Sequence, residues 1–223
     1  MIMVKNQLLR AVASLLVAAL FFSCSGPAVN IVDKSFNEQV AGRYRINVRS
    51  SFYNSSDEKL NEALEPLNDS LSSIVSSIVE EFMENVGFMG DSIPRESGYE
   101  RELYVRDTIC SATKKLVSVR YTIYQFTGGA HGNTTSFALN YLPEQKRFLE
   151  KEEFFKVGEA VVDSLLQSCF VDADSVCYAV PTVELASSIN FTEDEVIFVY
   201  DRYVIGPYSA GEVEIRVPAS RCR

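Results

Sequence analysis

The stretch of this chain best suited to chemistry is Gly128-Gly129-Ala130-His131-Gly132, which holds the only histidine of the sequence. Three glycines in five residues permit positive φ angles and a close approach of another group to the backbone. The imidazole can act as a general base, as a metal ligand, or as a polar group packed against aromatic rings. A general base needs an orienting group and a nucleophile or water at about 3 Å, and no recognisable Ser or Cys nucleophile motif lies beside His131. We therefore expect Gly128, Gly129, His131 and Gly132 to contact a ligand, and we predict no catalytic residue.

A β-hairpin must position this run, because alternating apolar residues precede and follow it. Residues 117–123 and 137–141 give the two strands, and residues 127–133 give a long, glycine-rich tip. Further strands are expected at 43–52, 103–105, 196–203 and 213–217.

Two amphipathic helices are expected from apolar residues recurring every three or four positions. The first covers 57–87, with Asp57 as its cap and Gly87 near its end. Pro66 falls inside it and either kinks the helix or starts a new one. The second covers 154–169. We predict an α+β fold, with antiparallel β-sheet and two main amphipathic helices packed on one face.

The first 24 residues have the order of a secretory signal, since Lys5 and Arg10 precede a short apolar run that ends at Ser23-Cys24. The run from Ala11 to Phe22 has 12 residues, whereas a membrane-spanning helix needs roughly 20. The cysteine at the cut point resembles a bacterial lipoprotein signal, in which the thiol is acylated, with palmitate for example. We therefore predict a signal peptide at 1–23 and a lipid anchor on Cys24 at the outer membrane of the cell envelope. Simple secretion is the alternative.

The remaining chain is expected to hold a tether at 24–40 and one α+β domain at 41–223, with a possible internal boundary near residue 98. At 47% hydrophobic and 23% charged residues, the chain can bury a core. Removal of the two cations of the signal takes the net charge from −9 to −11. This charge argues against nucleic acid as a partner and is compatible with a basic protein partner.

Four cysteines remain once Cys24 is assigned to lipid, an even number in an oxidising compartment. Metal binding is disfavoured because no C-x-x-C spacing occurs and the chain has one histidine, so we predict no metal and no cofactor. Four cysteines allow three pairings, which the sequence cannot distinguish. We favour Cys169–Cys177, leaving Cys110–Cys222.

Two blocks of the sequence carry a family resemblance. The run Tyr124 to Gly132 (YQFTGGAHG) resembles a hairpin signature of an extracytoplasmic bacterial domain family, which includes the lysozyme-sensing anti-sigma factor RsiV and the non-catalytic N-terminal part of the peptidoglycan deacetylase PdaC. The second block runs from Phe191 through Tyr203-Val204-Ile205-Gly206-Pro207-Tyr208 to Pro218. The resemblance covers roughly residues 41 to 220.

The resemblance implies a non-catalytic binding module at the cell envelope. We expect a lysozyme-like protein or a peptidoglycan fragment as the ligand, held by the tip around His131 and by the turn from Tyr203 to Tyr208. Two alternatives stay open, a cell-wall glycan hydrolase or transferase that uses His131, and a purely structural lipoprotein. Arg43, Arg45 and Arg49 share one face of the first strand, where they either hold an anionic group or pair with acids of a neighbouring strand.

Overall fold

The computed structural model describes residues 28–88 and 100–222. The predicted signal peptide, Cys24 and the first residues of the predicted tether lie outside this part of the chain. The described strands and helices are, in chain order, β1 (Asn30–Val40), β2 (Tyr44–Asn54), α1 (Glu58–Phe88), β3 (Arg101–Ala112), β4 (Val117–Phe126), β5 (Asn133–Leu142), β6 (Arg147–Phe148), α2 (Glu159–Cys169), β7 (Ser188–Phe191), β8 (Glu195–Tyr200) and β9 (Val213–Pro218). The predicted α+β class is confirmed.

The larger sheet has the order β1-β2-β3-β4-β5-β6 and is antiparallel except between β2 and β3. Parallel neighbours need a crossover, and α1 lies between them in the chain. The structure does not support a boundary near residue 98, because β2 and β3 lie on either side of it and pair directly from Tyr44–Arg101 to Arg49–Arg106.

The smaller sheet has the order β7-β8-β9, and its apolar residues form a second core with α2. A buried polar network joins the two sheets. The Asn140 side chain donates to the carbonyl of Ile189 at 2.9 Å, and the Ser118 hydroxyl accepts from the Asn190 side chain and the Phe191 N–H, each at 3.0 Å. Within the described residues, no helix is both long enough and apolar enough to span a bilayer.

Both predicted helices are present, with changes at their ends. The Asp57 carboxylate accepts from the Leu60 N–H at 2.8 Å, so it caps α1 as predicted. The helix continues through Pro66 and ends one residue past Gly87. In contrast, α2 begins at Glu159 and not at Phe154, because the extended backbone of Gly158 (φ −63°, ψ 146°) precedes the first helical turn.

The predicted tether is too long, because Asn30–Val40 forms β1 and pairs with β2 along its whole length. The hairpin turn between them contains Gly42 at φ 70°, a conformation that suits glycine. All eleven side chains of β1 are exposed. On one face of the strand, Lys34 and Glu38 lie between the apolar residues Val32, Phe36 and Val40, and this break in the apolar–polar alternation explains why the sequence pattern missed the strand.

The predicted disulfides are not found in the described chain. Cys110, Cys169 and Cys177 are free thiols, so neither Cys169–Cys177 nor Cys110–Cys222 is formed. Cys169 is exposed at the end of α2, whereas the Cys177 sulfur packs against Gly206. Burial raises the pKa of the Cys110 thiol, and Cys222 is buried in the second core. The four cysteines lie in four separate segments. The packing of these segments decides the distances between the thiols, and the spacing of the cysteines along the chain does not.

Candidate ligand-binding site

The glycine-rich tip closes the predicted hairpin of β4 and β5. The ladder between the strands ends at Gln125–Asn133, which leaves residues 126–132 for the turn. Gly128 has φ 119° and Gly129 has φ 101°, conformations that side chains with a Cβ rarely adopt. These two glycines therefore set the path that brings His131 to the end of the hairpin.

Gly132 has a different role, because the ring of Tyr124 packs directly against its backbone. A Cβ at position 132 would lie 2.4 Å from Cζ of Tyr124. The ring centroid of Tyr124 is also 5.6 Å from that of Tyr104 on the neighbouring strand. Burial raises the pKa of the Tyr124 hydroxyl, and the Glu102 carboxylate adds to the shift. Gly132 therefore makes room for a tyrosine beneath the tip.

The structure brings the predicted residues His131, Tyr203 and Tyr208 together in one row of rings. His131 stacks on Tyr208 with centroids 4.0 Å apart and planes at 25°. Tyr208 contacts Tyr203 at 5.7 Å, and the Arg202 guanidinium lies 4.8 Å from the Tyr208 centroid, a cation–π distance. We call His131, Tyr203 and Tyr208 the aromatic row.

The turn that carries this row is fixed to β5 by two polar side chains. The Asp201 carboxylate accepts from the Ser136 N–H at 2.7 Å and from the Ser136 hydroxyl at 2.6 Å. Arg202 donates to the Thr134 hydroxyl at 3.2 Å. Tyr203 itself has φ 69°, which is uncommon for a residue other than glycine, and the residue is 52% exposed. The turn therefore holds an exposed tyrosine in an unusual conformation beside the hairpin.

An open cavity of about 640 Å³ adjoins the row. It lies between the hairpin tip and the turn that joins β1 to β2, and it is lined by Gly42, Arg45, Glu100, Glu102, Tyr124, Phe126, Ala130, His131 and Gly132. The Arg45 guanidinium is 3.2 Å from the Glu100 carboxylate and 3.7 Å from that of Glu102. Glu102 lies opposite Arg45 in the sheet, so this arginine pairs with an acid of a neighbouring strand, as one of the two alternatives predicted.

Glu100 links the cavity to the β1–β2 turn. Its hydrogen bonds to this turn should be lost at low pH. Its pKa is lowered by the hydrogen bond from the Gly42 N–H at 3.0 Å, and also by the Gln39 side chain and Arg45. Because the pKa is lowered, these contacts stabilise the folded protein fully above pH 4.5, the ordinary pKa, and are lost as the pH falls through the lower pKa of the folded state.

In an NMR pH titration we expect the Gly42 amide resonance to move with a midpoint below pH 4.5. Glu100→Gln should abolish this transition, and a midpoint at or above 4.5 would contradict the hydrogen bond.

The arrangement is suited to recognition. The Nδ1 atom of His131 lies 3.0 Å from the carbonyl oxygen of Gly132, and one ring face is stacked on Tyr208. Within the described ranges, no group of three or more His, Cys, Asp or Glu side chains could hold a metal ion. Aromatic rings, an arginine and two carboxylates around an open cavity offer stacking and charged hydrogen bonds to a polar ligand.

Sequence reasoning missed several residues that build the site, namely Tyr104, Glu100, Glu102, Asp201 and Arg202. The two acids lie on either side of the start of β3, where the apolar pattern is short. Asp201 and Arg202 directly follow the apolar run of β8, and this position at a strand end is the one available signal for them. Their partners lie far away in the sequence, 65 residues in the case of Asp201 and Ser136.

The fold and the site define a two-sheet α+β module with an aromatic surface at one hairpin. Two family models match the chain, in adjoining segments. Residues 30–134 match the model described as "Deacetylase PdaC", and residues 144–220 match the model described as "Protein of unknown function (DUF3298)". The resemblance predicted from the sequence is thereby confirmed. Both matches point to a protein of the cell envelope whose activity is unknown.

Solved structures share the fold. A DUF3298 family member from Bacteroides fragilis is 19% identical, covers 86% of this chain and 91% of its own length, and superposes with a TM-score of 0.62. A DUF3298 family protein from Pseudomonas aeruginosa is 18% identical, with 88% and 92% coverage and a TM-score of 0.51. A comparison with curated proteins gave no significant match.

Proposed function

We propose that this chain is a lipid-anchored binding protein of the bacterial cell envelope. Its ligand is a lysozyme-like protein or a peptidoglycan-derived fragment, held by the aromatic row and the adjoining cavity. The observation that carries the proposal is the meeting of two distant segments, the hairpin tip with His131 and the turn with Tyr203 and Tyr208, in one partly exposed surface.

The chemistry of this surface supports both ligand types. Tyrosine rings provide large, rigid contact areas, and their hydroxyls can bond to sugars or to protein groups. Arg45 is 44% exposed at its side chain and can reach an anionic group of a glycan, while Glu100 and Glu102 can meet a basic partner. The negative net charge of the chain favours encounter with a basic protein.

The N-terminal residues and the family matches support the proposed location. Lys5, Arg10, the apolar run and Cys24 have the order of a lipoprotein signal. Each buried methylene of an acyl chain adds about 0.8 kcal/mol to anchoring, so several chains on Cys24 hold the protein at the membrane. We place the protein at the outer membrane, as a binding module without a catalytic residue.

The test is a titration of the soluble chain from residue 25 onward into a lysozyme assay on purified cell wall. We expect saturable inhibition that weakens about tenfold in His131→Ala, because the stacked ring is lost from the centre of the surface. His131→Phe keeps the stacking and should retain most of the affinity. Val161→Ala, at a 51% exposed position on α2, should change nothing.

The other outcomes separate the alternatives. If the chain does not inhibit lysozyme, calorimetry with soluble muropeptides tests the glycan ligand. Clearing of the wall suspension without added lysozyme, abolished by His131→Ala, would support a hydrolase. A chain that binds neither ligand and clears no wall would overturn the proposal and leave the structural role.

A further inference from the structure

The outer edge of the larger sheet is a long strand with unusual exposure. β1 lies at the end of the six-strand order, and among the described residues its outer edge pairs with no other strand. Four of its large apolar side chains are exposed, with Ile31 at 41%, Val32 and Phe36 at 46% and Val40 at 37%. Such an edge is a ready template for another extended strand.

This edge lacks two of the devices by which proteins usually block edge pairing, proline and a β-bulge. β1 contains no proline, and its eleven-residue register with β2 runs without a bulge. Its one lysine, Lys34, places its ammonium 4.1 Å over the Phe52 ring, and so lies on the sheet face rather than across the edge. The edge is therefore open to a further strand.

The side chains of β1 divide between the two faces of the strand, and only one face carries more than one large apolar residue. Val32, Lys34, Phe36, Glu38 and Val40 share one face, since alternate residues of a strand point the same way. Two contacts agree with this division, because Lys34 lies over Phe52 and the Glu38 carboxylate accepts from the Tyr44 hydroxyl, both on the same face of β2. The other face carries Ile31 at its start and is polar from Asp33 onward, through Ser35, Asn37 and Gln39.

We propose that β1 pairs antiparallel with β1 of a second copy of this chain, with Phe36 at the two-fold axis. In this register Val32 lies opposite Val40 of the second copy, Lys34 lies opposite its Glu38, and Phe36 meets its Phe36. Each opposite-charge or apolar pair stabilises strand pairing, and the two-fold axis repeats each off-axis pair.

Charge complementarity selects a second copy and this register. With Ser35 at the axis instead, Val32 would face Glu38 and Lys34 would face Phe36, so charges would lie opposite apolar groups. In the proposed register the polar residues of the other face also match, because Asp33 meets Gln39 and Ser35 meets Asn37. The pairing joins two six-strand sheets into one, and because it uses nine residues of each strand we expect a dimer that dissociates on dilution.

A charge-swap series tests the pairing by sedimentation equilibrium of the full described chain over a range of concentrations. Lys34→Glu puts like charges opposite Glu38 of the second copy at both ends, so we expect the dimer Kd to rise about tenfold or more. Glu38→Lys should do the same. The double variant restores both ion pairs in swapped form and should restore the dimer.

The controls keep the test independent of folding. Lys114→Glu makes the same charge change in an exposed loop and should leave the Kd unchanged. Circular dichroism of each variant checks that the monomer is folded. A wild-type chain that stays monomeric at all concentrations overturns the proposal, and so does a dimer that is equally stable in Lys34→Glu. A dimer lost in both single variants but not restored in the double variant also contradicts the proposed register.

Discussion

Asp201→Asn should lower the free energy of unfolding by about 2 kcal/mol and weaken ligand binding together with it. The carboxylate accepts from both the N–H and the hydroxyl of Ser136, which is 8% exposed. The neutral amide of asparagine has one acceptor oxygen where the carboxylate has two, so both charge-assisted hydrogen bonds are lost and at most weaker neutral bonds replace them. Chemical denaturation measures the first effect, and titration of the ligand measures the second.

Two further variants show whether the contact itself is responsible. Ser136→Ala removes one of the two hydrogen bonds and should give a smaller loss of stability. Asp194→Asn removes a charge from an exposed position near the end of β7 and should have little effect. If Asp201→Asn and Asp194→Asn unfold at the same denaturant concentration, the turn does not depend on this anchor.

Gly132→Ala should destabilise the protein by about 1–3 kcal/mol, because the new methyl group overlaps the Tyr124 ring. The ring atoms would lie as close as 2.4 Å to the added carbon, so the ring must leave its place against Tyr104. We expect the cavity beside His131 to change shape and the affinity for ligand to fall. Thermal unfolding by circular dichroism gives the stability change.

The matched control is Gly87→Ala in α1, where an added Cβ meets nothing within 4 Å. Alanine is the better helix former, so this variant should be as stable as the wild type or slightly more stable. A second check removes the clash partner. In a Tyr124→Ala background, Gly132→Ala should cost much less, and equal costs in both backgrounds would exclude the ring as the cause.

The periodicity of apolar residues was sufficient to predict the helices and strands that have one buried face and one exposed face. The buried leucines of α1 recur with the helical period, and the alternation in β4 and β5 predicts a tip at residues 127–133, within one residue of the observed turn. It failed for β1, whose side chains are all exposed, and for β7, whose four residues are all buried. Charged residues interrupt the apolar positions of β1, and both faces of β7 are buried, so neither strand shows a simple alternation.

The candidate site was predictable only in part, because only some of its residues belong to a local sequence pattern. The glycines and the histidine of the tip form a short, unusual run, and the turn with Tyr203 and Tyr208 belongs to a recognisable block. The groups that fix them come from other segments, such as Asp201 on Ser136 and Glu100 on Gly42. Long-range pairs of common polar residues leave no local pattern. The predicted disulfides are not found among the described residues, and cysteine spacing along the chain carries no information on three-dimensional distance.

The most direct test of the binding surface is NMR mapping of the isotope-labelled soluble chain during titration with lysozyme and, separately, with a soluble muropeptide. We expect one of these ligands to shift the amide resonances of residues 128–132 and 202–208 together, and we expect His131→Ala to reduce the shifts at both segments. Saturable shifts confined to another surface, such as the exposed face of α1, would contradict it, as would the absence of shifts with both ligands.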